Sequence, residues 1–161
     1  GLNTPEARAF LRESPIERAD IVVTALGTND VTSQQAPKSF REHYRALLDD
    51  LFERTGATSA IITGLPPLRI LPAAPQPLRW YLGKYGARLD HELKSLCALD
   101  SRCAFLSLAW AAQPDAMAQD KFHPGPSQYA FWSRILCEHI GRFIGAFGDR
   151  RGRHEEPGDG A

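Results

Sequence analysis

The sequence predicts an α/β fold: a three-layer α/β/α sandwich on a flavodoxin-like parallel sheet. Three observations predict it. Short apolar runs rich in β-branched residues alternate with longer stretches of helical period, and glycine or proline punctuates the boundaries. The runs are continuous rather than alternating, as strands covered on both faces must be. Strand–helix alternation then implies right-handed crossovers between parallel strands.

The elements follow in order. Residues 4–14 read as a short helix, and Asp20-Ile21-Val22-Val23-Thr24-Ala25-Leu26 as the first strand. Phe40, Tyr44, Leu47, Leu48, Leu51 and Phe52 recur at helical spacing, with Pro37 near the start and Gly56 just past the end. Ser59-Ala60-Ile61-Ile62-Thr63-Gly64-Leu65 is the second strand. Leu78, Leu82, Tyr85, Leu89, Leu93 and Leu96 form the next helical stripe, and Ala104-Phe105-Leu106-Ser107-Leu108 a weaker third strand. Tyr129, Trp132, Leu136, Ile140, Phe143 and Phe147 form the last stripe, with Pro126 near its start. Residues 1–147 make one domain; 148–161 carry charge and glycine without large apolar side chains and read as a disordered tail.

Nineteen basic residues balance nineteen acidic ones, so net charge pulls the chain toward neither nucleic acid nor an anionic membrane. No apolar run approaches the ~20 residues of a transmembrane segment. Cys97, Cys103 and Cys137 are odd in number and form no C-x-x-C, so they read as buried free thiols of a reducing, cytoplasmic compartment. No signal peptide is visible.

Chemistry concentrates in two stretches. In parallel α/β sheets, ligands bind beyond the carboxyl ends of the strands. Gly27-Thr28-Asn29-Asp30 stands at such an end, where Gly27 permits a tight turn and the Asn29 amide can donate to an oxyanion. In Asp120-Lys121-Phe122-His123-Pro124, a carboxylate three residues before the imidazole can fix its tautomer, which leaves the other ring nitrogen as a base. His43, His91, His139 and His154 lie on helices or in the tail and are read as non-catalytic. The proline-rich segment 65–82 follows the second strand; its Leu68, Ile70, Leu71, Trp80 and Tyr81 line a substrate pocket or lid, or pack as a connector.

Gly27-Thr28-Asn29-Asp30 resembles the third conserved block of the SGNH hydrolases, also called the GDSL family. Asp120-Lys121-Phe122-His123-Pro124 resembles their fifth. The run from Gly64-Leu65-Pro66-Pro67-Leu68 through Gln76-Pro77-Leu78-Arg79-Trp80 is similar to the lysophospholipase-like and arylesterase-like bacterial branch. The resemblance covers nearly all of the chain except the tail. It implies His123 as general base, Asp120 as its orienting partner, Asn29 and Gly1 as oxyanion donors, Gly27 as the residue that shapes the turn, and Asp30 as structural. It implies hydrolysis of a small-molecule ester, thioester or lipid-like substrate, with no metal or organic cofactor.

The family's first block, Gly-Asp-Ser, is not found, and Ser33 follows the third block, where it is not expected to replace that nucleophile. The expectation is a C-terminal part of a serine ester hydrolase. Two strands would be missing from its front, the strand at 20–26 would be an exposed edge, and its own triad activity would be negligible. The alternative is a non-catalytic remnant or binding module. A flavodoxin-like protein that binds phosphate or flavin is a third reading, for which no glycine-rich phosphate loop is found.

Overall fold

In the structure, a computed structural model, residues 1–111, 116–121 and 123–152 are described. Strands β1 (Ile21–Thr24), β2 (Ser59–Thr63) and β3 (Cys103–Leu106) form a parallel sheet in the order β1-β2-β3. Its register pairs Val22 with Ala60 and Ile61 with Ala104. Helix α1 (Thr4–Glu13) precedes β1; α2 (Thr28–Thr32) and α3 (Pro37–Thr55) join β1 to β2. A 3₁₀ turn (Leu68–Ile70) and α4 (Leu78–Leu99) join β2 to β3, and α5 (Pro126–Gly152) follows. The fold is of the expected α/β class. The last helix runs past residue 147, and residues 153–161 of the expected tail lie outside the described residues.

Local chemistry explains the boundaries. Asn3 and Glu6 close a capping box on α1: Glu6 N donates to Asn3 Oδ1 at 3.0 Å, and Asn3 N donates to Glu6 Oε2 at 2.8 Å. Pro37 opens α3, and Gly56 ends it in the left-handed conformation, at φ 72°. The central strand β2 is buried along its whole length, as its continuous apolar run requires. The core joins Phe40, Tyr44, Leu48 and Phe52 of α3 to Ala60 and Ile62 of β2 and to Leu89, Leu93 and Leu96 of α4. β1 is an edge strand, and its Val23 is 41% exposed.

Of the cysteines, Cys97 is buried and Cys103 half-buried, but Cys137 is exposed, which corrects the expectation that all three are buried. Burial pushes the Cys97 thiol up to about 12 and that of Cys103 to about 11, so both stay protonated and neither is a nucleophile. Among the described residues no helix is long and apolar enough to cross a membrane.

Helix α1 buries only Thr4 and is held largely by polar contacts. Arg8 Nε lies 2.8 Å and Arg12 Nε 2.9 Å from Asp50 Oδ2 on α3, and Arg54 binds the Leu11 and Ser14 carbonyls. The Arg8 hydrogen bond, helped by Arg12, holds the Asp50 carboxyl at about 2, below its ordinary 3.8. A depressed carboxyl stabilises the fold above its unfolded value, and that stabilisation is lost as pH falls from 3.8 to about 2. After solvent screening it is worth about 1 kcal/mol. Urea unfolding is therefore expected to find Asp50→Asn less stable than wild type near neutrality, with the gap closing across that acid window.

Candidate active site

The carboxyl end of β1 leads directly into α2 through Gly27. Its φ is 125°, and a Cβ there would lie 2.9 Å from Leu65 Cδ1 and 3.4 Å from the Phe40 ring. Both the backbone and the close packing therefore demand glycine. The turn sets Asn29 and Asp30 in the first turn of α2. Asp30 is fully buried and faces the start of α1. Thr4 N donates to both of its oxygens at 3.0 and 3.1 Å, and Thr4 Oγ1 donates to Oδ2 at 3.0 Å. Burial pushes the Asp30 carboxyl up, against the opposing pull of the Thr4 hydrogen bonds. Asp30 thus pins the chain entering α1 against α2. The same junction brings Asn29 Nδ2 to the Leu2 carbonyl, to which it donates at 3.2 Å. A Cβ on Gly1 would lie 2.5 Å from that amide nitrogen, so a larger residue there would displace the Asn29 carboxamide. A carboxamide NH₂ carries two hydrogens. The Leu2 carbonyl orients one, and the other is the donor Asn29 can present to a substrate oxygen.

Asp120 and His123 stand at the tip of a small hairpin. Met117 and Pro124 form an antiparallel bridge, Ala118 N donates to the His123 carbonyl at 2.8 Å, and Gly125 N donates to the Ala116 carbonyl at 2.8 Å. Lys121 takes a positive φ of 56° to turn the tip. The Asp120 carboxylate divides its oxygens: His123 N donates to Oδ1 at 3.0 Å, and His123 Nδ1 lies 2.6 Å from Oδ2. With the carboxylate as acceptor, the proton sits on Nδ1, and Nε2 is the basic nitrogen. Phe122 and residues 112–115 lie outside the described residues.

The two stretches meet. A cavity of about 330 Å³ at the carboxyl end of the sheet is lined by Gly1, Thr28 and Asn29 on one side and by His123, Pro124 and Gln128 on the other. Leu68, Ile70 and Leu71 form part of its apolar wall, as the sequence suggested. Trp80 and Tyr81 do not. They stand on the outer face of α4, where Trp80 is 56% exposed, and so are corrected as pocket residues. The wall includes residues the sequence did not single out for it: Pro66, Pro67, Trp110, Met117, Tyr129 and Trp132. Trp110 packs edge-on against Phe131 with ring centres 4.7 Å apart. Tyr129 and Trp132 belong to the last helical stripe of the sequence; their place in the first turns after the histidine loop is the usable signal. Asp90 was also overlooked. It accepts from Leu65 N at 2.8 Å and so fixes the chain as it leaves β2 toward this wall.

No serine is among the described residues that line the cavity. Ser33 caps α2 instead, where its hydroxyl donates to the Asp30 carbonyl at 3.3 Å. His43 is engaged elsewhere, 2.6 Å from Gln35 Nε2.

No curated protein matches the chain significantly. Among solved structures, a carbohydrate esterase family 3 from Talaromyces cellulolyticus is similar in fold, with a TM-score of 0.65 at 15% identity over 90% of this chain and 69% of that one. The sequence also matches the family model of the GDSL-like lipases and acylhydrolases over residues 1–131, and the chain belongs to that family of ester hydrolases.

Proposed function

We propose that this domain supplies the base and oxyanion side of a serine ester hydrolase that acts on carboxylic esters or thioesters through an acyl-enzyme. In this reading a serine outside these 161 residues attacks the acyl carbonyl, and His123 Nε2 takes its proton. Asn29 Nδ2 and the Gly1 backbone hold the oxyanion. His123 then gives the proton to the departing alcohol or thiol, and water, deprotonated by the same nitrogen, releases the acid. The observation that carries the reading is that an Asp120-oriented imidazole and the Asn29 amide line one cavity.

The serine's origin has support of its own. Beside the open edge of β1 runs an apolar groove lined by Phe10, Leu11, Val23, Leu26, Leu47 and Leu51. A further parallel strand seated there would cover Val23 and end at the same rim as Gly27. The second reading, a non-catalytic binding module, is favoured by the lack of a serine among the described cavity residues.

Acylation separates the two. Full-length protein mixed with p-nitrophenyl acetate is expected to show a burst of nitrophenol and a serine-linked acetyl group by mass spectrometry. Asn29→Ala is expected to lower kcat about 10²–10³-fold with little change in KM. Absence of both burst and adduct would favour the binding module.

A further inference from the structure

The neutral net charge hides a local imbalance. Residues 65–89 contain Arg69, Arg79, Lys84 and Arg88 and no acidic residue. Within this stretch the first three turns of α4 expose one face. Trp80 is 56% and Tyr81 39% exposed, and Lys84 and Arg88 are exposed beside them. The residues are grouped by helical spacing: Trp80, Lys84 and Arg88 follow at intervals of four, opposite the buried Leu89 and Leu93. The Lys84 ammonium sits 4.2 Å above the Trp80 ring, and Tyr81 stacks on Tyr85 at 5.9 Å.

The acids that come next on the helix do not neutralise this face. Asp90 turns to the Leu65 amide, and Glu92 pairs with Arg41 of α3 at 3.1 Å. What remains is an exposed aromatic pair, Trp80 and Tyr81, flanked by two cations, Lys84 and Arg88. Tryptophan and tyrosine favour the boundary between water and hydrocarbon, and lysine and arginine can lie their stems along it while their charges reach lipid phosphates.

We propose that this face of α4 docks on an anionic phospholipid bilayer. Trp80 and Tyr81 enter the headgroup region, and Lys84 and Arg88 pair with its phosphates. The docked segment is continuous in sequence with Leu68, Ile70 and Leu71 of the cavity wall, so attachment would hold the cavity close to the surface. The proposal does not depend on catalysis.

Co-sedimentation of the chain with vesicles tests it. Binding is expected to phosphatidylcholine vesicles containing about one third phosphatidylglycerol, not to phosphatidylcholine alone, and to weaken as salt is raised. Lys84→Gln with Arg88→Gln is expected to weaken binding roughly 30-fold. Trp80→Ser should reduce it severalfold, with circular dichroism unchanged because these side chains are exposed. No binding to the anionic vesicles overturns the proposal, as does binding indifferent to these substitutions. Capture by a soluble polyanion that ignores Trp80→Ser identifies a plain charge site, and a dimer dissolved by Trp80→Ser identifies a second copy as the occupant; either result overturns the bilayer.

Discussion

Replacing His123 by alanine is expected to lower kcat for ester hydrolysis by the full-length protein about 10⁶-fold, the scale seen when the base of such a triad is removed. In the proposed mechanism both chemical steps pass through this ring. In acylation the imidazole must accept the nucleophile's proton as the carbonyl is attacked, and in deacylation it must take a proton from water. The loss should appear in kcat and in kcat/KM equally, because the ring assists the transition state rather than holding the substrate. The hairpin should survive the change. Its backbone bonds run from Ala118 N to the His123 carbonyl and from Gly125 N to the Ala116 carbonyl, which alanine keeps, and the His123 side chain is 65% exposed. An unchanged circular dichroism spectrum beside the lost rate would tie the effect to chemistry. Adding removal of the nucleophile should cost little more, since the residues act as a unit. An unaffected rate would take His123 out of the mechanism.

How much of this was legible follows from range and length. The three strands and three long helices announce themselves by period, and Pro37 and Gly56 mark the ends of α3 because their backbone geometry leaves few alternatives. α2 was not legible: five residues are too short for a helical pattern, and its first turn is the very motif that reads as a loop. The hairpin was hidden for a related reason, since its bridge joins Met117 to Pro124 without any strand-like alternation. The site itself was legible as two motifs, but the seat of Gly1 beside Asn29 was not: it depends on Thr4 and Asp30, a contact spanning 26 positions that no local pattern encodes. Trp80 and Tyr81 were misplaced for an avoidable reason. The stripe through Leu82, Tyr85, Leu89 and Leu93 already fixed the inward phase of α4, and Trp80 and Tyr81 fall off it.

Asp120→Asn is the subtler test, and a loss of about 10⁴ in kcat is expected. The wild-type carboxylate accepts from the His123 backbone amide at 3.0 Å and from the ring at 2.6 Å. Asparagine keeps one acceptor and turns the other oxygen into a donor. The carboxamide oxygen can still take the backbone N–H, so the loop keeps its shape. The NH₂ group then faces Nδ1, and a donor there forces the ring proton onto Nε2, the nitrogen that must be basic. The variant thus changes the tautomer and leaves the position of the ring. It also removes the negative charge that stabilises the imidazolium formed during the reaction. Asp120→Ala removes the backbone acceptor too and should add a loss of hairpin order that asparagine does not cause. If asparagine and alanine cost the same in rate while only alanine loosens the hairpin, Asp120 acts on the ring's protonation. If asparagine retains full activity, the carboxylate serves the loop alone, and the orienting role passes to another group.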